Sequence, residues 1–190
     1  MSPRRAGSNE LTREMIMDAA RDLFVQKGYQ HVSMRQIAKE LNYSHGAIYY
    51  HFKNKAELFY ALVEEHFDML DKKLEQIIHL EMDNHSKLKE VFIGYIEFGL
   101  THQSHYEIMF LIKDDEVINF MNQGPNISYE KFAQSVYMLT EKKVTLQEIW
   151  SIFISLHGFV THYLQNVSTF EDVKDLAYAH ADFLVKAIYN

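Results

Sequence analysis

The run Gly46-Ala47-Ile48-Tyr49-Tyr50-His51 holds the residues best suited to chemistry in this chain, and that chemistry is recognition rather than reaction. Tyr49, Tyr50 and His51 are aromatic or hydrogen-bonding groups where a purely structural helix needs neither, and Gly46 and Ala47 are small enough to let a helix approach base edges closely. Lys55 follows near another helix start, where an ammonium and the positive end of a helix can meet one phosphate. Eleven histidines raise a metal, and His102-Gln103-Ser104-His105 has the i, i+3 spacing of two ligands on one helical face. Without cysteine or a well-placed carboxylate that pair is half a site, and Asp114-Asp115-Glu116 reads as a solvated acidic loop. The chain has no Gly-x-Gly-x-x-Gly, phosphate-binding loop, nucleophile elbow or carboxylate pair at fixed spacing, so neither enzyme activity nor a cofactor is expected.

Helices must position these residues. A chain of 190 residues with 2 Pro and 7 Gly has too few breaks for a sandwich or barrel, and 47% hydrophobic residues suffice for a core, so the expected fold is all-α. The absence of cysteine excludes disulfide scaffolds and points to a reducing cytoplasm. No apolar region follows Arg4-Arg5, and no stretch nears the roughly 18 apolar residues of a membrane span, so no membrane partner is expected. Leu11, Met15, Ile16, Ala19, Ala20, Leu23 and Phe24 share one face of a first helix, capped by Ser8 or Asn9 and stopped at Gly28. Ser33 and Gln36 form a capping box that opens a short helix ending at Asn42, and Ser44 caps a second short helix through Phe52. Two short helices joined by a tight turn form a helix-turn-helix, whose second helix enters the major groove.

Charge follows the same division. Residues 1–60 carry 9 Lys and Arg against 6 Asp and Glu, whereas the rest carry 10 against 20, so a basic head sits on an acidic body within a net charge of −7. Binding to a polyanion depends on local Lys and Arg rather than on the net charge. Arg4 and Arg5 are either a basic arm or a solvated terminus.

Taken together, Ala19-Ala20, Leu23-Phe24, Gly28-Tyr29, Ser33-Met34-Arg35-Gln36-Ile37-Ala38 and Ala47-Ile48-Tyr49-Tyr50-His51-Phe52-Lys53-Asn54-Lys55 resemble the TetR family of bacterial transcriptional repressors over roughly residues 10–63. The resemblance implies a three-helix DNA-binding head, residues 1–56, and a larger domain, 57–190, that dimerises and holds a small inducer. It implies that Ser33, Tyr49, His51 and Lys55 contact phosphates and that Arg35, His45, Gly46 and Ala47 lie where bases are read; Ser44 and Tyr50 complete the expected DNA-facing set. Asn42 and Tyr43 depart from the family pattern, which has Gly in the turn and a small aliphatic residue beside it.

In the body, a stripe from Leu58 through Phe67 to Ile78 predicts one long helix tying head to body. Further starts fall at Ser86, Ser104, Ser128, Thr145 and Thr169, with a break at Gly124-Pro125. Phe92, Tyr95, His102, Tyr106, Met109, Phe110, Phe132, Trp150, Phe153 and His157 are the candidate ligand-binding residues, because Met and aromatics suit an adaptable apolar pocket. Periodicity does not separate pocket wall from core. The segment from Trp150 to Val160 is apolar nearly all round and needs neighbours on both sides, which makes Phe159, Tyr163, Leu176, His180, Phe183 and Leu184 candidates for a homodimer interface. Trp150 and His157-Gly158 also resemble a subset of TetR-type regulators with a Trp…His-Gly helix. The expected function is a ligand-responsive repressor that binds a palindromic operator as a homodimer and is released by an apolar or amphipathic small molecule. The alternatives are a metal-responsive sensor and a helical hydrophobe-binding protein that does not bind DNA.

Overall fold

Local capping fixes the head. In the computed structural model, which describes residues 10–112 and 124–189, helix α1 spans Arg13–Lys27. Thr12 caps it, its side chain accepting from the Met15 N–H at 3.2 Å, so the start falls later than Ser8 or Asn9 would place it. Ser8 and Asn9, like Arg4, Arg5 and Asp114-Asp115-Glu116, lie outside the described residues. Gly28 stops α1 at φ 79°, which costs a glycine nothing. The chain then turns so that Tyr29 packs its ring 5.5 Å from Phe24 and 5.1 Å from Phe59.

Helix α2, Met34–Glu40, opens on the Ser33–Gln36 capping box. Asn42 makes the turn at φ 59°, a conformation asparagine tolerates better than most residues, so the departure from glycine leaves the turn intact. Helix α3, His45–His51, begins where Ser44 Oγ accepts from the Ala47 N–H. Ile16, Phe24, Ile37, Ile48 and Phe52 are fully buried together beneath these helices. Arg13 locks the end of α3 to α1, donating to the His51 carbonyl at 2.8 Å with its guanidinium 4.0 Å above the Phe52 ring.

Helix α4, Lys55–Ile78, is capped by Asn54; its 24 residues extend about 36 Å at 1.5 Å per residue. Leu58, Phe59, Leu62 and Val63 complete the head core, whereas Leu70, Leu74 and Ile77 pack against the body core. Helix α5, Asn84–Thr101, is capped by Asp83 rather than Ser86, whose N–H donates to the aspartate. Helix α6, Gln103–Tyr106, starts at His102 with Ser104 inside it and continues as a π-helical turn over Glu107–Leu111. Helix α7 spans Gly124–Leu139, so Gly124-Pro125 opens a helix and Ser128 falls inside it. Helix α8, Leu146–Tyr163, carries the Thr145–Glu148 capping box, and a 3-10 turn, Phe170–Val173, leads from the Thr169–Asp172 box into α9, Lys174–Tyr189.

Helix α5 is the axis of the body, buried at Leu88, Val91, Phe92 and Ile96 and packed against α4, α7, α8 and α9. Within one subunit Ile149, Ile152, Leu156 and Val160 of α8 face inward, whereas Leu146, Trp150 and Ile154 are exposed, so one side of the helix has no neighbour in the same subunit. One expectation needs correction. Leu184 is buried at 7% exposure, because it shares the inward face of α9 with Ala177 and Ala181; Leu176 and Phe183, two turns apart, share the outward face. Among the described residues no helix is long and apolar enough to cross a membrane.

Candidate nucleic-acid interface and body pocket

Burial of Ile48 turns the opposite face of α3 to solvent, with His45, Gly46, Tyr49 and Tyr50 on it. Tyr50 is 88% exposed, with its ring 5.3 Å from His51, and the His45 and Tyr49 rings meet edge to face at 4.6 Å. An added Cβ at Gly46 would meet nothing within 4 Å, so the helix is unobstructed on the side that would enter a groove. Ser33 and Arg35, at the exposed start of α2, flank this face, and Ala47 is half-buried beside it. Lys55 is placed differently from a solvated phosphate ligand. Its ammonium donates to the Tyr29 carbonyl at 2.8 Å and sits 3.9 Å from the centre of the Tyr29 ring, joining the start of α4 to the turn that follows α1.

In the body, α4, α5, the π turn, α7 and α8 enclose a pocket with a free volume of about 40 Å³. Of the expected residues Tyr95, Phe110, Phe132 and Phe153 line it; Phe67, Leu70, Asp71, Leu74, Ile77, Ser128 and Tyr129 line it as well and were not foreseen. Asp71 offered a signal, a carboxylate inside the apolar stripe of α4. Its oxygens accept from Ser128 Oγ and Lys131 Nζ, both at 2.6 Å, and that bond holds the Lys131 ammonium above its usual range. Tyr106 and His157 stand behind the wall: Tyr95 Oη lies 2.9 Å from Tyr106 Oη, which lies 2.6 Å from His157 Nδ1. Burial pushes both tyrosine hydroxyls well above the usual phenol range.

The other expected ligand residues fall elsewhere. Trp150 is half-exposed and supports the wall from outside, its ring 5.6 Å from Phe153. Phe92 is in the body core, since Val91, Gly94 and Tyr95 are the α5 residues that face the pocket. Met109 packs into the head core, and the His102 ring lies 5.2 Å from Phe98 and 5.3 Å from His105 at the start of α6, outside the pocket. Of the dimer candidates, Phe159 stacks 5.1 Å from His180 and 4.9 Å from Tyr163 along one side of the α8–α9 face.

Between head and body, fully buried His66 of α4 lies 4.1 Å ring to ring from His105 of α6, whose Nε2 is 3.4 Å from Arg21 Nη1 of α1. Neither ring nitrogen of His66, nor Nδ1 of His105, has a hydrogen-bond partner among the described residues. Desolvation lowers His66 to about 3 and His105 to about 4, with neighbouring His105 and Arg21 pushing in the same direction for His66. Among the described residues no group of three or more His, Cys, Asp or Glu is placed to hold a metal ion.

A buried three-helix head with an exposed recognition helix, carried on a helical body, defines a helix-turn-helix DNA-binding regulator. Residues 16–62 match the family described as bacterial regulatory proteins, tetR family. The chain belongs to the TetR family of transcriptional regulators. It is similar to the TetC protein of transposon Tn10 from Escherichia coli, 30% identical over 70% of this chain and 66% of that protein. It is also similar to the transcriptional regulator AcrR of Shigella flexneri, 27% identical over 82% of this chain and 77% of that one. The chain spans about half the length of several further relatives it matches. Its fold is shared by FadR of Bacillus subtilis, solved in complex with stearoyl-CoA, at a TM-score of 0.74 and 18% identity over 93% of this chain and 97% of that one.

Proposed function

We propose that this regulator is a repressor that binds a palindromic operator as a homodimer and is released when a small apolar or amphipathic molecule enters the body pocket. The observation that carries the reading is the path from pocket to head. Phe67 and Phe110 line the pocket with their rings 5.4 Å apart, while Ile108 and Met109, two residues and one residue before Phe110, pack into the head core with Leu62 and Val63. A pocket of about 40 Å³ must open to admit a ligand, and moving α4 or the π turn displaces residues that the head core holds. Half-sites on DNA lie about one turn or more of roughly 34 Å apart, so a shift of a few Å between two heads mismatches both.

In this reading Ser33, Tyr49, His51 and Lys55 contact phosphates, and Arg35, His45, Gly46 and Ala47 face base edges, with Ser44 and Tyr50 beside them. The outward faces of α8 and α9, through Leu176, Phe183 and the Phe159–Tyr163–His180 stack, pair two subunits. A neighbour of the same fold solved with stearoyl-CoA supports a body that receives amphipathic molecules. The test is to recover the operator by selecting bound genomic fragments, then to titrate a pocket ligand calorimetrically with and without it. A coupling of about 1–3 kcal/mol, or roughly 5- to 150-fold, is expected in both directions; equal ligand affinities in the two titrations would refute release by that ligand.

A further inference from the structure

We propose that the body pocket selects apolar molecules bearing a protonated amine, and that Asp71 is the residue that makes this selection. The inference rests on the reading of this pocket as the ligand site. Six aromatic rings surround the space, those of Phe67, Tyr95, Phe110, Tyr129, Phe132 and Phe153, and ring faces attract cations. Asp71 is a buried carboxylate in the same wall, at 6% exposure, so its charge is poorly screened from whatever enters. A ligand carboxylate would have to sit beside it uncompensated, and a ligand hydroxyl would gain only a hydrogen bond.

The two lysines nearby do not reverse this preference. Lys73 lines the pocket, but its ammonium is held 2.7 Å from Glu97 and its methylenes run along Gly94, where an added Cβ would lie 3.3 Å from Lys73 Cε. Lys131 pairs with Asp71 Oδ2 from the solvent side, with 45% of its side chain exposed. Exchange is therefore inexpensive. A ligand ammonium can take the place of Lys131 on Oδ2 while Lys131 returns its charge to water, and Ser128 continues to donate to Oδ1.

The experiment compares octylamine, octanol and octanoate, of equal chain length, by calorimetry on the full chain at pH 7. The amine is expected to bind at least about tenfold tighter than the alcohol, and the carboxylate weakest. In Asp71→Asn the advantage of amine over alcohol should shrink to within about threefold. In Lys131→Met, which keeps Asp71 and removes the competing cation, that advantage should grow. Octanoate binding as tightly as octylamine, or an amine advantage that Lys131→Met leaves unchanged, would overturn the proposal. If all three bind alike, the pocket stands as an apolar site and charge selection falls; if none binds, the ligand-site reading falls with it.

Discussion

Tyr50 and Lys55 are two residues of one expected DNA-facing set, and the structure gives them different surroundings. Tyr50 stands out from α3 at 88% exposure, so Tyr50→Ala should change folding stability by no more than about 0.5 kcal/mol while weakening operator binding. Lys55 is bound to the head itself through the Tyr29 carbonyl and ring. Lys55→Met should cost about 1 kcal/mol or more of head stability, read as a lower melting temperature. If its remaining donors also reach a phosphate, the slope of log affinity against log salt falls by about 1. A lower melting temperature with an unchanged slope would assign Lys55 to the fold alone. Arg35→Ala, at an exposed position beside the recognition helix, should instead relax sequence preference by about 1–3 kcal/mol at one base pair without unfolding the head.

At the scale of elements, the junction of α1, α4 and α6 is built around His66 and His105, with Asp18, Arg21 and Asp22 of α1 and His102 of the α6 start as the charged or titratable neighbours that shape their titration. Folded His66 holds its proton only near pH 3, whereas an unfolded histidine takes one up near 6.5. The unfolded chain thus binds more protons between these values, and stability present above about 6.5 is lost as the pH falls, by up to about 1.4 kcal/mol per pH unit for one proton. Urea unfolding at pH 7 and pH 5.5 should show this loss, and His66→Leu should remove much of it, because leucine neither titrates nor leaves a buried nitrogen without a partner. A pH dependence unaltered in His66→Leu would place the acid sensitivity elsewhere.

At the scale of the whole molecule, neighbouring residues of α9 face opposite ways. Phe183 is 66% exposed on a face shared with Leu176, whereas Leu184 is 7% exposed in the body core. Phe183→Glu should yield a folded monomer in sedimentation and lose operator affinity with it, since two-fold binding needs two heads. Leu184→Ala should instead cost about 2–5 kcal/mol of subunit stability through the cavity it leaves. If Phe183→Glu remained a dimer, the outward face of α9 would not be the interface.

The sequence by itself determined what closes within a few residues. The capping boxes of Ser33–Gln36 and Thr145–Glu148, the turn at Asn42 and the stripe of α4 are satisfied by neighbours three or four positions away, so their geometry is written locally. The helix-turn-helix was legible for that reason. The starts expected at Ser86 and Ser128 fall elsewhere: Asp83, three residues before Ser86, caps one helix, and Ser128 lies within another and donates to Asp71. Tertiary structure alone decided the pairings across long stretches of chain: Asp71 with Ser128, 57 positions apart, Lys55 with Tyr29, 26 apart, and His66 against His105. It also decided that Phe92 and Leu184 serve the core while Phe67 and Tyr129 line the pocket. Periodicity states which face of a helix is apolar, but the neighbour that covers this face is set by how the helices pack, and only that packing separates a core from a cavity or a dimer surface.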